Sequence, residues 1–390
     1  MPDQSSSRRQ FLGRTAVGGT LALVGERAVA AQPATKPDAK RKVGVVGVGG
    51  RGCGHLRLLR NFAQVAEVVA LCDVLPKRIE RGRRLAGGQP AGYADFGEML
   101  EHEGLDTVVI ATPNHVHKDQ AVASLDAGLY TFVEKPMACT VEECNAIIDA
   151  VRRNRRNRNK GLCQVGLQMR YAPLYRRIHQ MVREGAIGQI KFVWAENFRG
   201  DWRQVFDDAE EDRRRNWRYF QRLSGGSITE KNCHDFDVLG WIIGARPLRV
   251  AGTGGVNFYT GRQTLDHWAV TVDYENGCKL ALGTCLYGAG RHDTVIVGSK
   301  GTLEFPRGGD HLVLRRRRKK DERIDVKAEH GVATGHSGTY EMFADFLACM
   351  REGRMPSCNP MIAKGCVRVA LAGEMAVSRQ RSVRLSELPA

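Results

Sequence analysis

The sequence predicts an α/β protein in which an N-terminal domain built on a parallel sheet precedes an α+β domain with a large, mostly antiparallel or mixed sheet. Strand and helix patterns alternate up to about residue 160, which is typical of a parallel sheet covered by helices. After about residue 248, short strands separated by turns such as Glu275-Asn276-Gly277 indicate antiparallel pairing. A chain of 390 residues is long enough for two such domains.

The first predicted strand, residues 43–48, runs into a glycine-rich turn that a helix pattern follows at once. The turn reads Gly-x-Gly-x-x-Gly. Its first glycine permits the tight turn, its second lets a pyrophosphate approach the backbone, and its third lets helix and strand pack closely. The helix N-terminus adds unpaired N–H groups and a partial positive charge. The sequence therefore predicts a Rossmann dinucleotide-binding domain over residues 41–160. Its loop contacts to the cofactor come from Gly47, Gly49, Gly50, Arg51 and Gly52.

An acidic residue follows the second predicted strand, 26 residues after the first glycine of the turn. Asp73 stands where a carboxylate accepts a hydrogen bond from the ribose 2′-OH of NAD. The same carboxylate repels a 2′-phosphate, so NAD is the predicted cofactor. Lys77 and Arg78 lie close enough in sequence to keep NADP possible. A surface turn residue is the alternative interpretation of Asp73.

The first 31 residues have the pattern of a signal peptide, with a charged start, a short apolar stretch and an Ala-x-Ala-like end. The segment Ser7-Arg8-Arg9-Gln10-Phe11-Leu12 resembles a twin-arginine (Tat) signal, the route known for exporting folded proteins. Residues 32–40 are predicted to be a linker. The apolar stretch is too short and too rich in glycine for a membrane span. We therefore expect an exported, periplasmic or extracytoplasmic protein, and a disordered basic tail is the alternative.

Two further predicted strands end in polar loops. Residues 107–111 are followed by Thr112-Pro113-Asn114-His115-Val116-His117, and residues 130–133 are followed by Glu134-Lys135-Pro136. Because ligands of open parallel sheets bind at the carboxyl ends of the strands, these loops and the glycine turn are predicted to face one site.

The glycine turn, the Ala-Thr-Pro-Asn-His-x-His segment and the Glu-Lys-Pro tripeptide, in this order and spacing, resemble the glucose–fructose oxidoreductase / inositol dehydrogenase (Gfo/Idh/MocA) family. The resemblance implies an NAD(P)-dependent oxidoreductase that transfers a hydride from a carbinol carbon of a sugar, polyol or sugar derivative. It makes Lys135 a catalytic or substrate-positioning residue beside the nicotinamide, and Pro136 the residue that shapes the loop under the cofactor. The other cofactor contacts that we expect are Thr112, Pro113, Asn114, His117 and Glu134.

A second group of candidate catalytic residues lies at residues 224–237, a segment that begins with a Gly-Gly turn. The family usually has an Asp here and a His four residues later. His234 matches that His, whereas Glu230 stands where Asp is usual. A His with a near-neutral pKa suits removal of a proton from a carbinol, so Lys135, Glu230 and His234 form the predicted catalytic set. A satisfied helix-capping histidine is the alternative for His234.

The substrate side is less well defined by the sequence. Residues 198–222 form a long charged segment in which aromatic and arginine side chains alternate, and such side chains can stack on sugars or pack a subunit contact. Asn232 stands where the family usually has Gly. The predicted substrate contacts are Arg170, Trp217, Tyr219 and Asn232.

Composition narrows the class of partner. The formal net charge is +16, part of it in the runs at residues 152–160 and 315–320, but no nucleic-acid motif accompanies either run. The eleven cysteines form no C-x-x-C pair, and His115 and His117 lack an evident third ligand, so neither a metal site nor a disulfide framework is predicted. The expected partners are a small sugar-like molecule and a second copy of the chain, in a homodimer or homotetramer.

Three classes of function remain open at this point. The first is an exported oxidoreductase that keeps its cofactor tightly bound, since free NAD is expected to be scarce outside the cytoplasm. The second is redox-neutral glycosidase or isomerase chemistry on the same scaffold. The third is a non-catalytic sensor of sugar or cofactor, against which the joint presence of Lys135 and His234 argues.

Overall fold

A computed structural model describes residues 39–156, 161–201, 209–259, 261–327 and 337–390. The predicted signal peptide and nearly all of the predicted linker lie outside these residues. So does the end of the basic run at residues 152–160.

The first sheet is parallel throughout, with strand order β3-β2-β1-β4-β5-β6 in the described part of the chain. Its inner strands are buried on both faces, which explains why they are continuous apolar runs instead of alternating patterns. The strands are β1 (Arg41–Val46), β2 (Ala66–Cys72), β3 (Ala91–Tyr93), β4 (Thr107–Ile110), β5 (Tyr130–Val133) and β6 (Cys163–Val165).

Helices connect these strands. They are α1 (Gly50–Leu59), α2 (Pro76–Ala86), α3 (Phe96–Leu100), α4 (His117–Asp126) and α5 (Val141–Arg156). The segment Thr140-Val-Glu-Glu143 predicts a capping box, and this box opens α5: the Thr140 hydroxyl accepts from the backbone N–H of Glu143 at 3.2 Å, and the Glu143 carboxylate accepts from that of Thr140 at 3.2 Å. Because β6 joins this sheet, the first domain extends beyond the predicted boundary at residue 160.

The second sheet is mixed, with order β15-β14-β13-β12-β7-β10-β9-β8-β16 and with β11 paired to β7. Among the described strand pairs of this second sheet, only β7 and β10 are parallel. The strands are β7 (Ile190–Gly200), β8 (Pro247–Gly255), β9 (His267–Tyr274), β10 (Lys279–Cys285), β11 (Tyr287–Arg291), β12 (Asp293–Gly298), β13 (Thr302–Pro306), β14 (His311–Arg315), β15 (Glu322–Asp325) and β16 (Val383–Arg384). The predicted fold class is confirmed.

Six described helices belong to this half of the chain. They are α6 (Pro173–Arg183), α7 (Ala209–Arg215), α8 (Gln221–Ser224), α9 (Ser227–Ile243), α10 (Thr339–Glu352) and α11 (Pro360–Arg379). Helix α9 is buried on nearly all sides and ends at Gly244 in the left-handed conformation. At the start of α11 the Asn359 side chain accepts from the N–H groups of Met361 and Ile362, as the Asn-Pro pattern predicts. No described helix is long and apolar enough to cross a membrane.

Helix α10 joins the two halves of the molecule. Its Phe343 ring lies 4.7 Å from that of Phe132 on β5, and Phe346 contacts the same ring at 5.8 Å. The Gln164 amide on β6 donates to the carbonyl of Met342 on α10 at 2.9 Å. A helix near the C-terminus therefore completes the core of the N-terminal sheet.

Two element boundaries differ from those that the sequence predicts. The amphipathic pattern of residues 95–103 predicts a helix, but the helix ends at Leu100. The apolar pattern of residues 162–168 predicts a strand, but the strand ends at Val165, and a 3₁₀ turn follows from Gln168. The sequence did not indicate the short strands β3, β11, β15 and β16. The basic run at residues 315–320 begins at the last residue of β14 and continues into the turn before β15.

Candidate active site

The glycine turn forms a backbone cradle at the start of α1. Gly47 has φ +83°, and a Cβ there would lie 2.6 Å from the carbonyl of Ala111. A Cβ on Gly52 would lie 2.0 Å from the carbonyl oxygen of Gly47, so only glycine lets the helix approach the turn. Among the described residues, no side chain caps the first turn of α1. Its N–H groups and the positive end of the helix dipole therefore suit the pyrophosphate of a dinucleotide.

Asp73 lies at the end of β2 with 5% of its surface exposed. Its carboxylate accepts from the backbone N–H of Val48 in the glycine turn at 2.8 Å and from that of Leu75 at 3.0 Å. The Arg78 guanidinium lies 3.5 Å away. The carboxylate is thus fixed beside the cradle, where it retains acceptor capacity for a ribose hydroxyl.

Glu134 connects the loop after β5 to α1. Its carboxylate accepts from Arg51 Nε at 2.5 Å, from His55 Nε2 at 2.8 Å and from the backbone N–H of Lys135 at 3.1 Å. Burial opposes ionisation of Glu134, but Arg51 and His55 outweigh it and hold the pKa of this carboxyl well below its usual range. Glu134 lines the cleft, yet its bonds mainly position Arg51 and the Lys135 loop.

The loop after β4 contributes three of the four predicted residues to the cleft, together with one that was not predicted to bind the cofactor. Thr112, Pro113 and Asn114 line the cleft, and so does His115. His117 is fully buried, with its ring nitrogens 2.8 Å from the carbonyl oxygen of Pro136 and 2.9 Å from that of Thr112. It therefore ties the two strand-end loops together, which corrects its assignment as a cofactor contact.

The predicted catalytic residues converge. Lys135 Nζ donates to the carbonyl oxygen of Glu230 at 2.8 Å and lies 3.5 Å from Glu230 Oε1. His234 follows Glu230 by one helical turn of α9, and the positive charge of Lys135 helps to lower the pKa of its ring. Lys135 comes from the first sheet and the other two from the buried helix, so the site forms only when both halves of the chain meet.

His234 is nine-tenths buried, and among the described residues its Nδ1 has no hydrogen-bond partner. Burial is the main reason that its pKa lies well below 6.5, and the charges of Lys135 and Arg307 lower it further. The ring is therefore neutral at physiological pH, which corrects the expected near-neutral pKa. A neutral imidazole is the form that can accept a proton.

Glu230 is surrounded by cations. Arg218 Nε donates to its Oε1 at 2.9 Å, and Lys231 Nζ lies 3.4 Å from its Oε2. Although burial opposes ionisation, Lys135, Lys231 and Arg218 keep the pKa of Glu230 well below its usual range. Glu230 is therefore a permanent carboxylate that positions Lys135 and cannot act as a proton donor near neutral pH.

The predicted substrate contacts divide into one that reaches the cleft and three that serve the protein interior. Trp217 lines the cleft, with the Arg218 guanidinium 4.2 Å above its ring. Tyr219 is buried under the Arg262 guanidinium at 4.3 Å. Arg170 forms a two-pronged ion pair with Asp237 at 2.5 and 3.2 Å.

Asn232 is the third of these interior residues. Its amide NH₂ donates to Asp235 at 2.9 Å and to Thr284 at 3.1 Å, and its carbonyl accepts from Trp268 Nε1 at 2.8 Å. These bonds satisfy the amide within the protein. Position in the sequence alone therefore misassigned Tyr219, Arg170 and Asn232, because it does not reveal which partners a side chain meets.

A single cleft of about 1210 Å³ connects the glycine turn, Asp73 and the Lys135–Glu230 pair. His55 was not identified from the sequence. It forms a hydrogen bond with Glu134, which lines the cleft. Its position one helical turn after Arg51 on α1 is the feature of the sequence that could have identified it.

Comparison with known proteins agrees with this geometry. Residues 41–158 match the GFO_IDH_MocA oxidoreductase family, NAD-binding Rossmann fold, and residues 175–304 match the GFO/IDH/MocA C-terminal domain. The chain belongs to this family of oxidoreductases, whose cofactor is NAD.

Two curated relatives and one solved structure illustrate the likeness. The chain is 26% identical over 336 residues to scyllo-inositol 2-dehydrogenase (NAD(+)) of Bacillus subtilis, covering 84% of this chain and 91% of that protein. It is 27% identical over 274 residues to inositol 2-dehydrogenase of Salmonella typhimurium, covering 68% and 74%. The structure of levoglucosan dehydrogenase with NADH and L-sorbose superposes with a TM-score of 0.77 at 18% identity, covering 89% of this chain and 99% of that one.

Proposed function

We propose that this protein oxidises a carbinol of a sugar, polyol or sugar derivative, with NAD as the hydride acceptor. The observation that carries the proposal is the pairing of Lys135 with Glu230 at the cleft that the glycine turn opens, with His234 one helical turn further along α9. The inositol and levoglucosan dehydrogenases named above support a polyhydroxylated substrate.

Each of the three side chains has a distinct task in this reaction. The carbon–hydrogen bond breaks with its electron pair, which bound NAD accepts, and the hydroxyl proton must leave at the same time. His234, neutral and with an unpartnered Nδ1 among the described atoms, accepts that proton. The Lys135 ammonium lies beside the developing alkoxide and stabilises its charge, while Glu230 holds the ammonium in place.

Export and tight cofactor binding belong to the same proposal. The twin-arginine pattern at residues 7–12 supports folded export, and a cofactor released outside the cytoplasm would be lost. A dissociation constant of about 1 nM or below, roughly −12 kcal/mol, would survive purification. The exported form, purified without added nucleotide and then denatured, should release close to one NAD(H) per chain. Substoichiometric release with rapid exchange would contradict tight binding.

The activity is tested with a panel of sugars, polyols and glycosides, following NADH by absorbance and products by mass spectrometry. Lys135→Met and His234→Gln should each lower turnover by about 100-fold or more, the usual worth of a positioned acid–base group. Lys300→Met, which removes an exposed lysine between β12 and β13, is the control and should retain full turnover. Product formation without net NADH would instead indicate redox-neutral chemistry. Turnover that survives both active-site substitutions would overturn the assignment.

A further inference from the structure

Helix α9, which carries Glu230 and His234, begins without a cap from its own sequence. The residue before its first turn is Gly226, which has no side chain to accept from the N–H groups that a helix leaves unpaired at its start. Ile228 and Thr229 of this turn are fully buried, so their N–H groups need a partner within the protein. The start of this helix therefore depends on another part of the chain.

Glu374 on α11 supplies that partner. Its carboxyl group accepts from the backbone N–H of Ile228 at 2.7 Å and also from that of Thr229. A Cβ on Gly226 would lie 2.1 Å from Glu374 Oε1, so only glycine lets the carboxyl group come this close to the helix end. When it is ionised, this group also interacts favourably with the positive end of the helix dipole. Glu374 thus caps α9 from a helix that lies far along the chain.

Hydrogen bonds continue from this cap to the ammonium of Lys135. The carbonyl of Gly226 accepts from the N–H of Glu230 at 3.0 Å, and the carbonyl of Glu230 accepts from Lys135 Nζ at 2.8 Å. The ammonium is therefore bonded to the backbone of the first turn of α9, in addition to lying 3.5 Å from the Glu230 carboxylate. A movement of that turn would move the ammonium within the cleft.

Glu374 is not among the described side chains that line the cleft. It lines a separate cavity of about 570 Å³, together with Leu265, Leu371 and Met375. Lys135 and Glu230, in contrast, both line the cleft. Any effect of Glu374 on a molecule bound in the cleft must therefore pass through α9.

We propose that Glu374 is a positioning residue for the oxidation, which caps α9 and so fixes the carbonyl of Glu230 where it holds the Lys135 ammonium beside the developing alkoxide. A displacement of about 1 Å in a catalytic group can lower a rate by about 100-fold. The cap requires a side chain of the right length with an acceptor oxygen, because the groups that it binds are uncharged N–H donors. The inference rests on the oxidoreductase activity proposed above.

Three substitutions in the NAD-loaded enzyme separate the length of the side chain from its charge. Glu374→Gln keeps the length and one acceptor oxygen, and its kcat should stay within about 3-fold of that of the parent chain. Glu374→Asp keeps the charge but is shorter by one carbon–carbon bond, about 1.5 Å. Glu374→Met keeps the length but has no acceptor oxygen. The last two should each lower kcat by about 30-fold, with little change in KM or in NAD affinity.

The measurement uses the best substrate of the panel described above and follows both product and NADH. Turnover is expressed per folded chain, counted by bound NAD, so that a loss of folded protein is not mistaken for a loss of kcat. Glu142→Met is the matched control, because it removes an exposed glutamate that lines the same cavity as Glu374. It should leave kcat unchanged.

A double-mutant cycle with Lys135→Met tests whether Glu374 acts through the ammonium. In the Lys135→Met background, Glu374→Met should lower the residual kcat by only about 3-fold, because the group that the cap positions is absent. A merely structural role would lower kcat by the same factor in both backgrounds. If Glu374→Met does not fold, the same cycle is measured with Glu374→Asp.

The outcomes separate this inference from the proposed function. A parent-like kcat in Glu374→Asp and Glu374→Met would overturn the inference while the oxidoreductase activity stands. So would an equal loss in Glu374→Gln and Glu374→Asp, or an equal loss in the two backgrounds of the cycle. Absence of turnover by the parent chain with every compound of the panel would overturn the proposed function, and the inference with it.

Discussion

The cofactor end of this active site consists mainly of backbone groups, whereas its substrate end consists of side chains. At the cofactor end, the glycine turn and the N-terminus of α1 offer backbone groups, and side chains such as Glu134 mainly hold that backbone in place. At the substrate end, the reactive atoms belong to side chains, those of Lys135 after β5 and of Glu230 and His234 on one buried helix. The cofactor end therefore depends on positions at which only glycine fits. The substrate end depends on which side chains the fold brings into contact.

The largest effect that tests this contrast concerns two glycines of α1. Gly52→Ala should destabilise the protein by about 3 kcal/mol or more, because the added Cβ meets the backbone of Gly47 at 2.0 Å, and neither side can yield cheaply. Gly54→Ala is the matched control. In the described structure nothing lies within 4 Å of a Cβ there, so better helix propensity should stabilise the protein by up to about 1 kcal/mol.

Urea unfolding of the two variants and the parent chain measures both effects. Equal stabilities for the two variants would show that the turn accommodates a side chain at residue 52, so that glycine is not required there for steric reasons. An intact cradle in Gly52→Ala would also bind NAD normally, so cofactor titration provides a second reading.

The same contrast explains what the sequence revealed. Four of the parallel strands (β1, β2, β4 and β5), the glycine turn and Asp73 could be predicted because local residue types set them: β-branched runs, obligatory glycines and a carboxylate at a strand end. Lys135 and His234 were found through a family resemblance, and nothing in their local sequence says that they meet.

His55 was missed for a physical reason. Its role depends on the contact of its ring with Glu134, which lies 79 residues further along the chain. His117 and Asn232 were misassigned for the same reason, since buried partners satisfy both. Sequence position identifies the element that carries a residue but not the atoms around its side chain.

A second prediction, with an effect of intermediate size, concerns how the stability of the folded protein depends on pH. The buried rings of His55, His117 and His234 all have a pKa lowered mainly by burial. Below pH 6.5 the unfolded chain takes up protons that the folded protein does not, so this stability is present above about pH 6.5 and lost as the pH falls. Glu374, whose carboxyl accepts from the N–H of Ile228, acts in the opposite sense, because burial raises its pKa to about 7.

The three imidazoles outweigh the one carboxyl, so the free energy of unfolding should fall between pH 6.5 and pH 5. Each ring contributes up to about 1.4 kcal/mol per pH unit in that window. His55→Gln in the cofactor half and His234→Gln in the substrate half should both flatten the dependence, whereas the more exposed His311→Gln should not. Urea unfolding across this range provides the measurement. A slope that neither buried substitution changes would mean that other groups cause the acid sensitivity.

The smallest predicted effect concerns the choice between NAD and NADP. The Asp73 carboxylate repels a 2′-phosphate, while Arg78, 3.5 Å from it, partly neutralises that repulsion. Asp73→Ser should therefore shift the ratio of the two dissociation constants toward NADP by about 10-fold, and Arg78→Ala should shift it toward NAD by a smaller factor. Arg84→Ala removes an exposed arginine from the same helix and should leave the ratio unchanged. Calorimetric titration of each variant with both cofactors distinguishes these outcomes. Shifts of the same sign in Asp73→Ser and Arg78→Ala would show that the pair acts through the position of the glycine turn, which Asp73 also holds through the N–H of Val48, and not through charge at the ribose.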